Sequence, residues 1–300
     1  MTRLPRLEYG IHEARRKAEL NCWQRSHMGI SSLVSPCDRQ IFFSFRWVTR
    51  PKFLKKSQLS STGNDSGGRM LRLFDTGNRE EERFYAELES VGFNVVPDDN
   101  GRQFKVRGLT CAHYGGSCDG FAQDTDGLIG KQGEWYLLEI KTHNENSFRS
   151  LEKHGMRKSK PEHGVQMDQY GGGFSIGKGL YLAKNKNTDE LYIEKVEINP
   201  HVFHEMEKKA DKLVKTKELP KKMTENPTHF ICKNFCDYRD LCFGNQPVKI
   251  EVNCRTCKDS EPSSNAESWQ CNRHGIELNH TQQKAACSDY VVLSQLRKED

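Results

Sequence analysis

Apolar positions along the chain fall into stretches of different period, and those periods predict its elements. Residues 9–29 carry Ile11, Ala14, Ala18, Leu20 and Trp23 on one rough face and are predicted helical. In the next stretch Pro36 is placed to open a helix, with Phe42, Phe43 and Phe45 packing inward. Residues 55–68, rich in Ser, Gly, Asn and Lys, read as a mobile loop. Residues 76–91 form an amphipathic helix with Thr76 as cap and Glu80, Glu81 and Glu82 near its start, where negative charge is favoured. Its apolar face is Phe84, Tyr85, Leu88 and Val91, and Gly92 stops it.

Shorter extended runs follow at 93–96 and 104–106 and on the approach to Asp119. The clearest strand is Glu134–Thr142, an apolar and aromatic run that ends in Glu139-Ile140-Lys141. Residues 162–171 are predicted helical, with Gln166 and Tyr170 four apart on one face and Gly171-Gly172-Gly173 weakening the end. Gly179–Ala183 and Leu191–Val196 read as a hairpin, and 200–217 as a Lys-rich helix burying Val202, Phe203, Met206, Ala210 and Leu213. A helix followed by several strands suits an α/β core with a mixed central sheet.

Charges at the rim of an apolar strand are costly to bury unpaired. If the Asp119 stretch pairs with the Glu134–Thr142 strand, Asp119 and Glu139 converge on one divalent cation. Lys141, two residues beyond Glu139, then lies on the same strand face. Hard oxygen donors select magnesium or manganese. Such a site suits hydrolysis of a phosphodiester, with Lys141 adding positive charge or helping to deprotonate water.

The order of these features resembles the PD-(D/E)XK nuclease superfamily, most closely its RecB-like branch. Glu139-Ile140-Lys141-Thr142 is similar to that branch's strand motif, and Gln166-x-x-x-Tyr170 to its downstream helix motif. The resemblance covers roughly residues 30–245. It implies a restriction-endonuclease-like α/β core with a mixed central sheet flanked by helices. Asp119, Glu139 and the Ile140 carbonyl would bind the metal, Lys141 would be the catalytic base or charge stabiliser, and Gln166 and Tyr170 would position DNA. The early helix supplies one more acid, Glu81 or its neighbour Glu80. Many relatives carry a His after the preceding glycine, where this chain has Asn78.

The chain has 300 residues, of which 35% are hydrophobic, enough for one sizeable core and a small module. Its net charge of +5 is compatible with nucleic acid without demonstrating it. No apolar run is long enough for a membrane span and no signal peptide opens the sequence, so a cytoplasmic protein is expected, in the host cytoplasm if phage-encoded. Disulfides are then a poor explanation for eleven cysteines, and crowding of seven of them beyond residue 230 points to metal.

Nucleases of the CRISPR-adaptation and AddAB kinds place one cysteine before the core and three after it, holding an iron–sulfur cluster. Here Cys37, in a Ser-x-Cys-x-Arg context followed by aromatics, precedes the core, and Cys232, Cys236 and Cys242 follow. Four thiolates suit a [4Fe–4S] cluster. The three residues between Cys232 and Cys236, where relatives usually have two, leave zinc as an alternative. Cys254, Cys257, Cys271 and Cys287 suggest a second, zinc-bound site in a small tail, with His274 or His280 able to replace Cys287. Similar tails occur on phage-encoded nucleases. Cys22, Cys111 and Cys118 read as packed or partly exposed thiols, and His113, His143, His154 and His163 as surface or hydrogen-bonded side chains.

The expected organisation is an N-terminal helical segment and loop with Cys37 (1–68), the nuclease core (69–200), a helix and cysteine segment (201–245) and a zinc-ribbon-like tail (246–300). The expected function is a metal-dependent DNA exonuclease serving recombination, repair or degradation, with DNA, a single-strand-binding or annealing protein, or a separate helicase as partners. The alternative is a nucleic-acid-binding zinc protein with an inactive nuclease fold. A third reading is a structural subunit of a helicase–nuclease machine. No Walker-type loop is present, so a motor would be a separate chain.

Overall fold

The computed structural model describes residues 4–54, 66–244, 248–263 and 267–296. The predicted loop at 55–68 lies mostly outside them. In chain order the elements begin with α1 (Pro5–Ala18), β1 (Met28–Gly29), α2 (Ile30–Leu33), α3 (Asp38–Phe45), α4 (Ser66–Ser90), β2 (Phe93–Val96), β3 (Lys105–Arg107), β4 (Tyr114–Ser117), β5 (Phe121–Asp124) and β6 (Glu134–His143). Next come α5 (Glu145–His154), α6 (Met156–Ser159), α7 (Pro161–Phe174), β7 (Lys178–Asn185), β8 (Leu191–Glu197) and α8 (His201–Lys215). The last are α9 (Phe230–Asn234), α10 (Arg239–Phe243), β9 (Ser260–Pro262), β10 (Trp269–Cys271), β11 (Ile276–Leu278) and α11 (His280–Lys284). The chain forms two compact units, one of Gly29–Val34 and Asp75–Ala210, the other of Met1–Met28, Ser35–Phe74 and Asp211–Asp300.

The first unit is an α/β core. Its five-stranded sheet has the order β2-β5-β6-β7-β8, with β6 and β7 parallel and the other neighbours antiparallel. This is the mixed sheet flanked by helices that the sequence leads one to expect. The strand period of two divides β6 between two faces. Tyr136, Leu138 and Ile140 join Phe84 and Leu88 of α4 in one buried cluster with Val95, Leu180 and Leu182. Leu137, Glu139, Lys141 and His143 take the other face, the side of α7, where Met167 meets Gly179 of β7.

Two helices differ from expectation in ways that packing explains. α4 begins at Ser66, ten residues before the expected cap, so Thr76 is interior. Leu71 is buried and Phe74 packs edge-on against Phe53 at 5.5 Å, so tertiary contacts extend the helix upstream. Gly92, with φ +93°, ends the turn after it, while Val91 stays exposed. α7 runs through Gly171-Gly172-Gly173 to Phe174. A Cβ on these glycines would stand 2.6 Å from Ile198, 2.7 Å from Phe203 and 2.5 Å from Val106. The glycines therefore permit close approach, and that packing outweighs their weak helix propensity of about 1 kcal/mol each. Bidentate pairing of Arg157 with the buried Asp168, at 2.8 and 2.9 Å, further fixes α7.

In the second unit, α1 ends at Ala18 rather than near residue 29 and exposes Ile11, burying His12 and Arg16 instead. Arg16 pairs with Glu13 at 2.6 Å and donates to the Leu54 carbonyl at 2.9 Å. α3 starts at Asp38, two residues after Pro36, with Cys37 at its cap position. The described part of residues 246–300, expected as a tail with little core, shares one with the aromatics of this unit. Trp269 is fully buried against Phe45 at 5.4 Å, and Leu296 joins Phe42, Phe43 and Tyr238. The guanidinium of buried Arg255 lies 3.8 Å from the Trp47 ring centre and donates to the carbonyls of Phe45 and Ser26. Its Nε also donates to Gln283 Oε1 at 2.9 Å, and three hydrogen bonds with the ring contact offset the cost of burying it.

Candidate active site and cysteine clusters

The site is built where β6 carries charge into the core of the α/β unit. Gly120, at φ +102°, turns the chain between Asp119 and β5, and its carbonyl accepts from Leu138 N at 3.0 Å. That turn lays Asp119 over the end of β6. Its Oδ2 accepts from Ile140 N at 2.8 Å, and Tyr85 OH donates to its backbone carbonyl at 2.8 Å. Lys141 Nζ stands 2.5 Å from Glu139 Oε1, 3.5 Å from Asp119 Oδ2 and 3.0 Å from the Ile140 carbonyl. Asp119, Glu139, Ile140 and Lys141 are thus brought together.

Of the two acids offered by α4, Glu81 interacts with Asp119 and Lys141. Buried Glu80 pairs instead with Lys184 at 3.0 Å and Arg83 at 3.6 Å, an arrangement that ties α4 to β7. On α7, Tyr170 is buried and interacts with Glu139, Asp119 and Lys141, while Gln166 is half-buried one turn before it on the same face.

Glu139 is wholly buried, and neither carboxylate oxygen has a well-formed hydrogen bond; its sole close polar partner among the described residues is Lys141. Burial pushes this acid up to about 7, against the pull of Lys141. Burial and then the Asp119 charge push Glu81 up to about 7 as well. Burial alone would favour neutral Lys141, but Asp119 and Glu139 hold its pKa above the ordinary value. Three clustered carboxyl groups share one ammonium, and Glu139 Oε1 has only Lys141 close by; this is the donor set a hard divalent cation completes. Asp119, Glu139 and the Ile140 carbonyl fit such an ion. Cys118 beside them is a buried thiol pushed up to about 12.

Three further side chains stand next to Lys141. Tyr181 of β7 is the register partner of Glu139, and its hydroxyl lies 2.8 Å from both His143 Nε2 and His163 Nδ1. The histidines are hydrogen-bonded, as their isolated occurrence suggests, yet they form a cluster. Its signal was present in the spacing. Glu139, Lys141 and His143 alternate along a strand, and His163, Gln166 and Tyr170 follow helical spacing.

All eleven cysteines are free thiols. Cys37 interacts electrostatically with Cys232, Cys236 and Cys242, so those four thiols are gathered in the second unit from two distant segments. Tyr238 N donates to Cys236 Sγ at 3.4 Å, the kind of N–H···S contact that stabilises a ligating thiolate. The donor set fits a four-thiolate centre. Cys254 likewise interacts with Cys257, Cys271 and Cys287. His274 Nε2 lies 3.5 Å from Cys287 Sγ and 3.5 Å from Asp289 Oδ2. His280 is engaged elsewhere, with Nε2 2.7 Å from the Gln24 carbonyl and its ring against Trp47.

No family model and no curated protein matches the sequence. Among solved structures, the chain is similar to that of SSO0001, at 12% identity and TM-score 0.45, covering 80% of this chain and 98% of that one. It is also similar to an alkaline exonuclease (LHK-Exo) from Laribacter hongkongensis, at 15% identity and TM-score 0.38, covering 65% of this chain and 90% of that one. The same exonuclease in complex with dAMP gives 17% identity and TM-score 0.36, over 67% and 90% of the two chains. Likenesses this distant say nothing about the chemistry of this chain. Among the described residues no helix is long and apolar enough to cross a membrane.

Proposed function

We propose that this protein is a divalent-metal-dependent deoxyribonuclease of the PD-(D/E)XK kind, acting as an exonuclease on linear DNA. The observation that carries the reading is the wholly buried Glu139, which shares the single ammonium of Lys141 with Asp119. A carboxylate buried in that setting with so few donors costs stability, and a phosphodiester-cleaving site gives it a purpose.

Asp119, Glu139 and the Ile140 carbonyl would hold magnesium or manganese. A bound ion would supply Lewis acidity toward the phosphoryl oxygen and the attacking water. The chain's own residues do the rest. Lys141, charged at neutral pH, offers positive charge to the oxygens of the reacting phosphate as negative charge gathers there. Glu81, with a pKa near neutrality, is suited to take or give up a proton at the edge of the site. Gln166 and Tyr170 present hydrogen-bonding groups from α7 to the DNA strand.

In the second unit, the set of Cys37, Cys232, Cys236 and Cys242 would hold a [4Fe–4S] cluster or zinc. Cys254, Cys257, Cys271 and Cys287, with His274 beside them, would hold zinc. Both are structural roles, closing segments of the chain that lie far apart in sequence.

The deciding experiment pairs anaerobic purification and metal analysis with cleavage of end-labelled linear DNA in magnesium or manganese. Wild type is expected to shorten the DNA. Lys141→Ala should lower the rate by about 100- to 1,000-fold, the usual effect of removing one group that stabilises transition-state charge, with its circular dichroism unchanged. Equal cleavage by the two proteins would end the reading.

A further inference from the structure

Four polar side chains of the α/β unit have no task in the mechanism above, though they border its site. Ser147 Oγ lies 2.9 Å from His143 Nδ1, His143 Nε2 lies 2.8 Å from Tyr181 OH, and Tyr181 OH lies 2.8 Å from His163 Nδ1. The ring centres of His143 and His163 are 5.9 Å apart, so the groups form one unbroken chain of hydrogen bonds. His143 and Tyr181 are buried, while His163 is half-buried. Among the described residues, His163 Nε2 makes no hydrogen bond.

The place of His163 on α7 is informative. His163 precedes Gln166 by three residues and Tyr170 by seven on α7, so the three share the helix face that covers Glu139 and Lys141. His163 also interacts electrostatically with Lys141. Tyr181, which aims the ring, is the strand neighbour of Glu139.

We propose that His163 is a DNA-binding residue, donating from Nε2 to a phosphate oxygen adjacent to the cleaved bond, and that Tyr181 and His143 are positioning residues that fix its tautomer. The proposal rests on the nuclease reading. A consistent set of donors runs outward: Ser147 Oγ–H to His143 Nδ1, His143 Nε2–H to Tyr181 oxygen, Tyr181 O–H to His163 Nδ1. His163 then carries its proton on Nε2, turned toward the ligand. Each histidine needs to be neutral for this, and burial favours that, lowering His143 to about 4 and His163 to about 3. A satisfied core cluster would leave no such group over. Here one end of the chain is closed by Ser147, and at the other His163 Nε2 has no hydrogen bond among the described residues.

Two measurements on the full chain test this. The first is independent of activity. Nitrogen-15 spectra at neutral pH should show His163 neutral with its proton on Nε2, and Tyr181→Phe should remove that preference. A proton on Nδ1 would make Nε2 an acceptor and overturn the proposal. The second uses a linear DNA substrate. His163→Ala should raise KM by about 10- to 100-fold, the range for a hydrogen bond to a charged group, and change kcat much less. His163→Gln, which keeps a donor near the same place, should recover part of the loss, and Tyr181→Phe should raise KM by a smaller factor. Cleavage by wild type and His163→Ala with equal KM would overturn the proposal and leave the nuclease reading standing. No cleavage by wild type in any divalent metal would overturn both.

Discussion

Replacing Glu139 by Gln should stabilise the metal-free protein while destroying its activity, and the size of the effect should depend on pH. Glu139 is fully buried and is pushed from the ordinary 4.5 to about 7, chiefly by desolvation. The folded state therefore holds this proton more tightly than the unfolded state does. Its contribution to stability is complete below pH 4.5 and is lost as pH rises through 7. A displacement of that size corresponds to about 3 kcal/mol at pH 8. In EDTA, the stability difference between Glu139→Gln and wild type should be near zero at pH 4.5. It should grow to about 3 kcal/mol at pH 8, a rise in Tm of about 6–12 °C for a unit of this size. Manganese at pH 8 should then raise the Tm of wild type and leave that of Glu139→Gln almost unchanged, since only the former keeps the full donor set. Thermal melts by circular dichroism at a series of pH values, with and without metal, supply the numbers. A difference that does not vary with pH would refute the reasoning. So would a wild type that gains stability over Glu139→Gln as pH rises in EDTA.

Two other substitutions probe the frame around the site. Gly171→Ala, which would put a methyl group 2.6 Å from Ile198 and 2.8 Å from the Ile176 carbonyl, should destabilise the α/β unit by about 1–3 kcal/mol in urea unfolding, despite alanine's better helix propensity. Cys37→Ser should abolish the iron and sulfide, or the zinc, that purifies with the sulfur set of Cys232, Cys236 and Cys242. It should also open the second unit to proteolysis before the first, as judged by the order in which peptides are released.

Much of the site was legible in the sequence because its signals are local. Glu139 and Lys141 sit two apart at the end of an apolar strand, and that period fixes both on one face. Gln166 and Tyr170 share a helix face for the same kind of reason, and the hairpin of β7 and β8 follows from its alternation and turn residues. The choice between Glu80 and Glu81 was beyond local pattern. It depends on whether Lys184, more than a hundred residues away, takes one of the two.

The remaining differences have a common cause. Propensity placed the start of α4 at Thr76 and weakened α7 at its glycines, but long-range packing of Leu71, Phe74, Ile198 and Phe203 decided otherwise. The histidines read one at a time as unremarkable polar residues. Only the parallel pairing of β6 with β7 brings Tyr181 between them. The sequence by itself determined which residue types could bind a cation and on which face of each element they lie, since those follow from chain periodicity. Tertiary structure decided which of them meet, which acid loses its solvent, and which nitrogen stays unpaired, because desolvation and pairing exist only once separate segments are packed together.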